Sequence, residues 1–207
     1  GKKSYNVQLV VAYELYRNGD SITGFNAIAY NLPNNAKVRK KYGFKLTLLR
    51  NVMDAKADLI VRPLAAYILH KNHLPKINNE AFADFVFFHE MSHGLGPGTV
   101  MIGGKPQNVQ NRLGKLYHAI EELKADISGI FLLTQLAEQG RMPLDTETYL
   151  TTYIAQLFRS LRFGVEDSHG EGVAVQLKHF IREGGLVYRD GKYEIELKLS
   201  YLPLIIF

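Results

Sequence analysis

The stretch FFHEMSHGLGPG, residues 87–98, contains the pattern H-E-x-x-H, whose fixed positions are His89, Glu90 and His93. Residues four apart on an α-helix lie one above the other, so a helix here would point both imidazoles at one ion. Glu90 lies about 100° further round, because an α-helix has 3.6 residues per turn. Its carboxylate would then lie beside the ion, where it can take a proton from an attacking water. The stretch therefore predicts a helix that carries a metal site and a general base.

The pentapeptide alone is a short match. With 7 histidines in 207 residues, chance produces it in about 1% of such chains. The residues directly before it, 85–88, are three phenylalanines and a valine, which is typical of a buried helix. Buried histidine and glutamate side chains need partners. A shared metal ion would supply them.

A second stretch, YHAIEELKAD at 117–126, supplies candidates for the third protein ligand that a catalytic zinc usually has. Glu122 and Asp126 are four apart and would share one face of a predicted helix. We predict that Glu122 binds the metal and that Asp126 accepts the outer ring N–H of one histidine, which fixes its tautomer. Glu121 is the rival ligand, and His118, one turn before Glu122, is a further candidate.

Composition narrows the class of protein. The chain has no cysteine, which excludes disulfides, thiolate catalysis and cysteine-bound zinc. The net charge is +5, with one local cluster at Lys37, Arg39, Lys40 and Lys41. No stacking aromatics accompany this cluster, so a solvated turn is favoured over a nucleic-acid contact. No apolar run reaches the ~18 residues that a membrane span needs. We expect a cytoplasmic protein without a membrane or nucleic-acid partner.

The order of predicted elements indicates an α+β fold, with a mainly helical part, which carries the predicted zinc site, flanked by β-hairpins at both ends. The hairpins are predicted to turn at Asn18-Gly19 and at Asp190-Gly191. The predicted helices span about residues 48–70, 79–94, 113–139, 145–164 and 168–184. We treat residues 1–207 as a single catalytic domain. Gly1 in place of methionine and the apolar end SYLPLIIF predict a fragment of a longer protein, with an additional domain before residue 1.

H-E-x-x-H followed by E-E-x-x-A-D resembles the dipeptidyl peptidase III family of zinc metallopeptidases. The likeness is strongest to its shorter bacterial relatives, some of which are attached to a Nudix-type domain. NLPN (31–34), followed by residues 38–53, is similar to an asparagine-containing loop of the family and the segment after it. SHGEGVAVQLKHFIREGG (168–185) is similar to its histidine-bearing helix. The resemblance covers roughly residues 24–185.

The resemblance implies one zinc ion (Zn²⁺), held by His89, His93 and Glu122. It implies that Glu90 is the general base and that Asp126 is the hydrogen-bond partner of a ligating histidine. The fold that it implies is the zinc-bearing lobe of the family, and the substrate that it implies is a peptide.

The same resemblance implies roles for three further residues. His169 would line the cleft and stabilise the tetrahedral transition state, while Asn31 and Asn34 would hydrogen-bond the substrate backbone. This chain departs from the family at the first motif, which usually reads H-E-x-x-G-H. The segment between the two motifs is also shorter than in the larger members.

The motifs and the resemblance together predict a zinc-dependent peptide hydrolase. The alternative is a catalytically inactive, metal-stabilised binding domain that is attached to a partner domain. The sequence leaves both open.

Overall fold

The computed structural model describes residues 7–19, 27–33, 38 and 41–196, and this part is mainly helical with small sheets towards both ends. The strands are β1 (Val7–Ala12), β2 (Ala29–Leu32), β3 (Phe44–Leu49), β4 (Thr99–Ile102), β5 (Lys105–Asn108), β6 (Leu186–Arg189) and β7 (Lys192–Ile195). The α-helices are α1 (Arg50–Lys56), α2 (Arg62–Ile68), α3 (Asn79–Ser92), α4 (Val109–Leu113), α5 (Tyr117–Glu138), α6 (Thr146–Ser160) and α7 (Ser168–Arg182). The predicted α+β, mainly helical class is confirmed.

The first sheet differs in its pairing from the hairpin predicted at Asn18-Gly19. Strand β3 lies in the middle, with β1 parallel on one side and β2 antiparallel on the other. The reason lies in the side chains of β3, where Leu46, Leu48 and Leu49 are all buried. Strand β1 exposes Leu9, Val10 and Val11, so β3 rather than β1 can occupy the covered central position.

The predicted helix at 48–70 is present as α1, a π-helical turn (Ala57–Val61) and α2. Pro63 lies at the start of α2, where its missing N–H costs little. The buried apolar stripe of this helix runs at intervals of four residues through Met53, Ala57, Val61, Ala65 and Leu69. The wider π-helical turn has more residues per turn than an α-helix, and this keeps a stripe of that spacing on one face.

Helices α3, α5, α6 and α7 surround the core, and side chains cap three of them. Asn78 caps α3 and Asp145 caps α6. The cap of α7 is Asp167, whose carboxylate accepts from the N–H of His169 and of Gly170. The aspartate takes the role because its carboxylate is a strong acceptor for the first N–H groups of a helix.

Two further hairpins complete the fold. The hairpin of β4 and β5, which the sequence did not predict, connects α3 to the following helices. The hairpin of β6 and β7 turns at Asp190-Gly191 as predicted, with positive φ at both residues. Among the described helices, none combines the length and the apolar character that crossing a membrane would need. The predicted basic cluster at 37–41, except Lys41, and the apolar end of the chain lie outside the described residues.

Candidate metal centre

Helix α3 presents its two histidines on one face. The helix begins where the Asn78 side chain accepts from the N–H groups of Glu80 and Ala81. His89 and His93 lie one turn apart near its end, with ring centroids 4.7 Å apart and ring planes at 89°. Their Nε2 atoms face each other at 3.1 Å. The predicted helical spacing therefore brings the two imidazoles to one point.

Helix α5 meets α3 at Gly129. A Cβ atom on Gly129 would lie 2.9 Å from the backbone nitrogen of His89 and 3.0 Å from the carbonyl carbon of Phe88. Any side chain would push the two helices apart, so only glycine permits this approach. Glu122 and Asp126 lie within two turns of Gly129 on α5, and the close crossing brings their carboxylates to the imidazoles.

Glu122 is the carboxylate that joins the two histidines. Its Oε2 atom lies 3.4 Å from Nε2 of His89 and 3.8 Å from Nε2 of His93. Across the described residues, these three form the group of side chains that could hold a metal ion, with ligand atoms that all lie within 4.8 Å of one another. The structure thus brings together the three ligands predicted from the sequence.

The two other candidate ligands lie elsewhere. Oε1 of Glu121 is 3.2 Å from Nδ1 of His93, on the far side of that ring, and accepts from Nζ of Lys124 at 2.6 Å. His118 is exposed and packs edge-on against Tyr117. Of the neighbouring carboxylates on α5, it is therefore Glu122 that faces the two Nε2 atoms.

Each histidine is held from behind by its own carboxylate. Oδ1 of Asp126 lies 2.8 Å from Nδ1 of His89. Oε1 of Glu121 has the equivalent position at His93, 3.2 Å from its Nδ1 atom. A carboxylate in this position receives the Nδ1–H and fixes the ring tautomer, as is usual for ligating histidines. When both rings are neutral, the lone pairs of the two Nε2 atoms then point towards each other.

This arrangement fits a metal ion. Two nitrogen lone pairs 3.1 Å apart repel each other unless a proton or a cation lies between them. Oε2 of Glu122 is buried and has no hydrogen-bond partner among the described residues. Two imidazole nitrogens and one carboxylate oxygen are a donor set found in catalytic zinc sites.

The charges of the site are linked. Burial disfavours the charged form of His89, but the hydrogen bond to Asp126 and the contact with Glu122 outweigh it and raise the pKa of His89 to about 10. Burial also opposes ionisation of Glu122, but His169 and His89 hold its pKa well below the usual range. The contact between Oε2 of Glu122 and Nε2 of His169 is 3.1 Å long. Its geometry is not that of a hydrogen bond, so we attribute its effect to charge. Glu122 is therefore ionised and able to bind a cation.

Glu90 lies between the histidines in the chain, and Asn31 fixes its backbone. Nδ2 of Asn31 donates to the carbonyl oxygen of Glu90 at 3.1 Å, which ties β2 to α3. Oδ1 of Asn31 is buried without a partner among the described residues. Asn31 thus lies beside the backbone of the predicted base and has a free hydrogen-bond acceptor among the described residues. Asn34 lies outside the described residues.

His169 faces the cluster from helix α7. Its side chain is 54% exposed, and its ring lies nearly parallel to that of His89, with centroids 6.4 Å apart. The nearby carboxylate of Glu122 raises the pKa of His169. The structure therefore places this predicted residue at the cluster, with enough exposure to meet a substrate.

Two glycines hold the first turn of α7 in place. A Cβ atom on Gly170 would lie 1.8 Å from the carbonyl oxygen of Gly164. One on Gly172 would lie 3.3 Å from the backbone nitrogen of Leu123 on α5. These close approaches fix the position of His169 relative to Glu122.

Asp126 was predicted from the sequence, but the residues that bind its second oxygen were not. Oδ2 of Asp126 accepts from Nε2 of Gln176 at 2.8 Å, and the Tyr153 hydroxyl donates to Oε1 of Gln176. One signal was available, because Gln176 follows His169 by seven residues, or about two helical turns, and so shares its face of α7. The position of Tyr153 on another helix had no such signal.

Solved structures of dipeptidyl peptidase III share this architecture. The enzyme from Caldithrix abyssi superposes with a TM-score of 0.90 and 31% sequence identity, over 97% of this chain and 40% of that one. The enzyme from Corallococcus sp. strain EGB gives a TM-score of 0.86 and 35% identity, over 96% and 38%. The chain has the fold of part of dipeptidyl peptidase III. The resemblance predicted from the motifs is confirmed.

Sequence comparison points to a related protein of another name. No family model matches the chain. Nudix hydrolase 3 of Arabidopsis thaliana is 34% identical over 178 residues, which are 85% of this chain and 23% of that protein. The expected attachment to a Nudix-type domain concerned bacterial relatives, and the name of this plant protein supports such a link. The chain spans about a quarter of this curated relative and about two fifths of the solved enzymes.

Proposed function

We propose that this chain is the zinc-binding part of a peptidase that hydrolyses peptide bonds. The observation that carries the proposal is the pair of facing Nε2 atoms of His89 and His93 with the buried Oε2 of Glu122 beside them. The likeness to two dipeptidyl peptidase III structures, at 31% and 35% identity, supports it.

The residues around the cluster suit peptide hydrolysis. Zinc held by His89, His93 and Glu122 would polarise a peptide carbonyl and lower the pKa of water. Glu90 takes the proton of the attacking water and delivers it to the leaving amine. His169, half exposed beside Glu122, donates a hydrogen bond to the oxygen that gains negative charge.

Substrate binding is proposed for the edge of the first sheet. Asn31 has one buried oxygen without a partner among the described residues, which can accept from an N–H of a bound peptide. Asn34, three residues on, is proposed to hydrogen-bond the backbone of the same bound peptide.

The solved enzymes are more than twice as long as this chain. An additional domain would complete the cleft, and we propose a cytoplasmic location for the whole protein.

The decisive experiment removes the base and keeps the metal site. We expect Glu90→Gln to retain one zinc per chain and to lose about 100-fold or more of its peptide hydrolysis, since general-base catalysis contributes about that much. His89→Ala should lose the zinc. His118→Ala is the matched control, because His118 is an exposed histidine, and both zinc and turnover should be unchanged. Zinc content by mass spectrometry below one ion per chain, unaffected by His89→Ala, would overturn the proposal.

The alternative is a metal-stabilised binding domain. The observation in its favour is that this chain covers only 38–40% of the length of the solved enzymes. In that case Glu90→Gln would leave peptide binding unchanged, and the unsubstituted chain would bind zinc without hydrolysing any peptide of a mixed library.

A further inference from the structure

A buried chain of hydrogen bonds runs from the candidate metal ligand His89 to helix α6. Asp126 binds Nδ1 of His89 with Oδ1 and accepts from Gln176 with Oδ2, at 2.8 Å in each case. The Tyr153 hydroxyl donates to Oε1 of Gln176. Gln176 and Tyr153 are fully buried, and Asp126 is nearly so. Four helices, α3, α5, α7 and α6, thus each contribute one member to this relay.

The donors and acceptors of the relay match. Gln176 turns its NH₂ group towards Asp126, whose carboxylate oxygen Oδ2 accepts from Nε2. Its Oε1 atom then faces Tyr153, whose hydroxyl must donate. Burial raises the pKa of Tyr153 well above its usual value, with a smaller contribution from Asp126, so the hydroxyl keeps the proton that it donates.

Gln176 supplies a hydrogen-bond donor to Oδ2 of Asp126, a buried oxygen that would otherwise have none. A buried carboxylate oxygen without a donor loses its hydration and gains nothing in return. Without the Gln176 donor, the Asp126 side chain would rotate towards another hydrogen-bond donor, and its Oδ1 atom would move away from His89. The relay also joins two parts of the site, because α7 carries both Gln176 and His169. Helix α7 therefore makes two polar contacts with α5, Gln176 with Asp126 and His169 with Glu122. These contacts fix the orientation of the two helices relative to each other.

We propose that Gln176 and Tyr153 are positioning residues for the metal centre, which hold Asp126 and through it the ring of His89 in the orientation that binds the ion. This inference rests on the proposed function, since it assigns how the same site is held together. Neither residue belongs to the candidate ligand group of His89, His93 and Glu122. Their contribution should therefore be seen first in metal affinity and coordination geometry.

The test uses variants that keep the packing and remove one hydrogen bond. Gln176→Met preserves the length of the side chain without a donor, and Tyr153→Phe preserves the ring that packs on Phe85 at 4.9 Å. The metal-free proteins are titrated with zinc against a chromophoric chelator, and with cobalt(II), whose absorption spectrum reports the coordination geometry. Residues that orient a ligating histidine typically contribute 10–100-fold to affinity. We expect about tenfold weaker zinc binding for Gln176→Met and a smaller loss for Tyr153→Phe.

A matched control comes from the same core. Gln156 is a buried glutamine on α6 whose Oε1 has no hydrogen-bond partner among the described residues. Gln156→Met should leave zinc affinity and the cobalt spectrum unchanged. Circular dichroism of the metal-free variants checks folding, and Tyr153→Phe serves if Gln176→Met does not fold.

The outcomes separate this inference from the proposed function. Weaker zinc binding and an altered cobalt spectrum in the relay variants, with an unchanged Gln156→Met, support the relay. Wild-type affinity and spectrum in folded Gln176→Met and Tyr153→Phe overturn the relay and leave the proposed function intact. Absence of zinc binding by the unsubstituted protein overturns both.

Discussion

Nε2 of His89 and Nε2 of His93 face each other at 3.1 Å, and each ring is held from behind by a different carboxylate. The two carboxylates differ in their surroundings. Asp126 is buried and binds His89 at 2.8 Å, whereas Glu121 binds His93 at 3.2 Å and is shared with Lys124. The two rings are therefore unequally restrained.

This inequality predicts different losses of metal affinity. Asp126→Asn should weaken zinc binding about tenfold, because residues that orient a ligating histidine commonly contribute 10–100-fold. Glu121→Gln should weaken it less, since its contact with His93 is longer and is shared with a lysine. Competition with a chromophoric chelator measures both. Equal losses would contradict the assignment of Asp126 as the stronger restraint.

The crossing of α3 and α5 predicts a steric effect at Gly129. In Gly129→Ala the new methyl group would lie 2.9 Å from the backbone nitrogen of His89, and the helices would have to separate. We expect a loss of about 1–3 kcal/mol in the free energy of unfolding, together with weaker zinc binding. Gly98→Ala is the control, because a Cβ atom there meets nothing within 4 Å. Urea denaturation gives the stabilities, and a Gly129→Ala protein as stable as Gly98→Ala would rule out the tight crossing.

Zinc should stabilise the folded chain. The three candidate ligands lie on, or directly after, two helices, so the unfolded chain does not hold them together. A ligand at 100 times its Kd stabilises by about 2.7 kcal/mol. For a chain of this length that corresponds to a rise in Tm of roughly 5–10 °C. Differential scanning fluorimetry with zinc, and again after addition of a chelator, measures the change. A similar rise in His89→Ala would show that the ion binds elsewhere.

Asp84 predicts a pH dependence of stability outside the metal centre. Its Oδ2 atom accepts from the Tyr149 hydroxyl at 2.9 Å, but burial outweighs this bond and raises the pKa of Asp84. The folded state therefore holds the Asp84 proton more tightly than the unfolded state. The stability from this group is full below the unfolded pKa and is lost as pH rises through the raised folded pKa.

The substitution Asp84→Asn removes the half-buried charge and keeps an acceptor for Tyr149. At pH 7 we expect the variant to be at least as stable as the unsubstituted chain, and the difference should narrow towards the unfolded pKa near 3.9. Urea denaturation at several pH values measures this. Asp58→Asn is the control, because Asp58 is exposed and paired with Arg62, and it should bring no gain at pH 7. A large loss of stability for Asp84→Asn at pH 7 would contradict the sign.

Local periodicity was enough to predict much of the site. The spacing of four between His89 and His93, and between Glu122 and Asp126, follows from the geometry of an α-helix and needs no tertiary contact. For the same reason the main helices and the Asp190-Gly191 turn were predictable. The roles of these side chains in catalysis stay predictions, which the experiments above test.

The tertiary structure decided the choices that local periodicity leaves open. Glu121 and Glu122 are neighbours in the chain, and only the rotation of α5 against α3, set by the contact at Gly129, turns Glu122 to the two histidines. The same rotation places Asp126 behind His89.

Contacts between segments that are distant in the chain could likewise not be predicted from the sequence alone. Gln176 and Tyr153 reach Asp126 from two other helices, and β3 lies between β1 and β2. The sequence by itself determined which side chains share a helical face, because that depends on the repeat of one helix. Which faces meet depends on how several helices pack around a common core, and only the tertiary structure decides that.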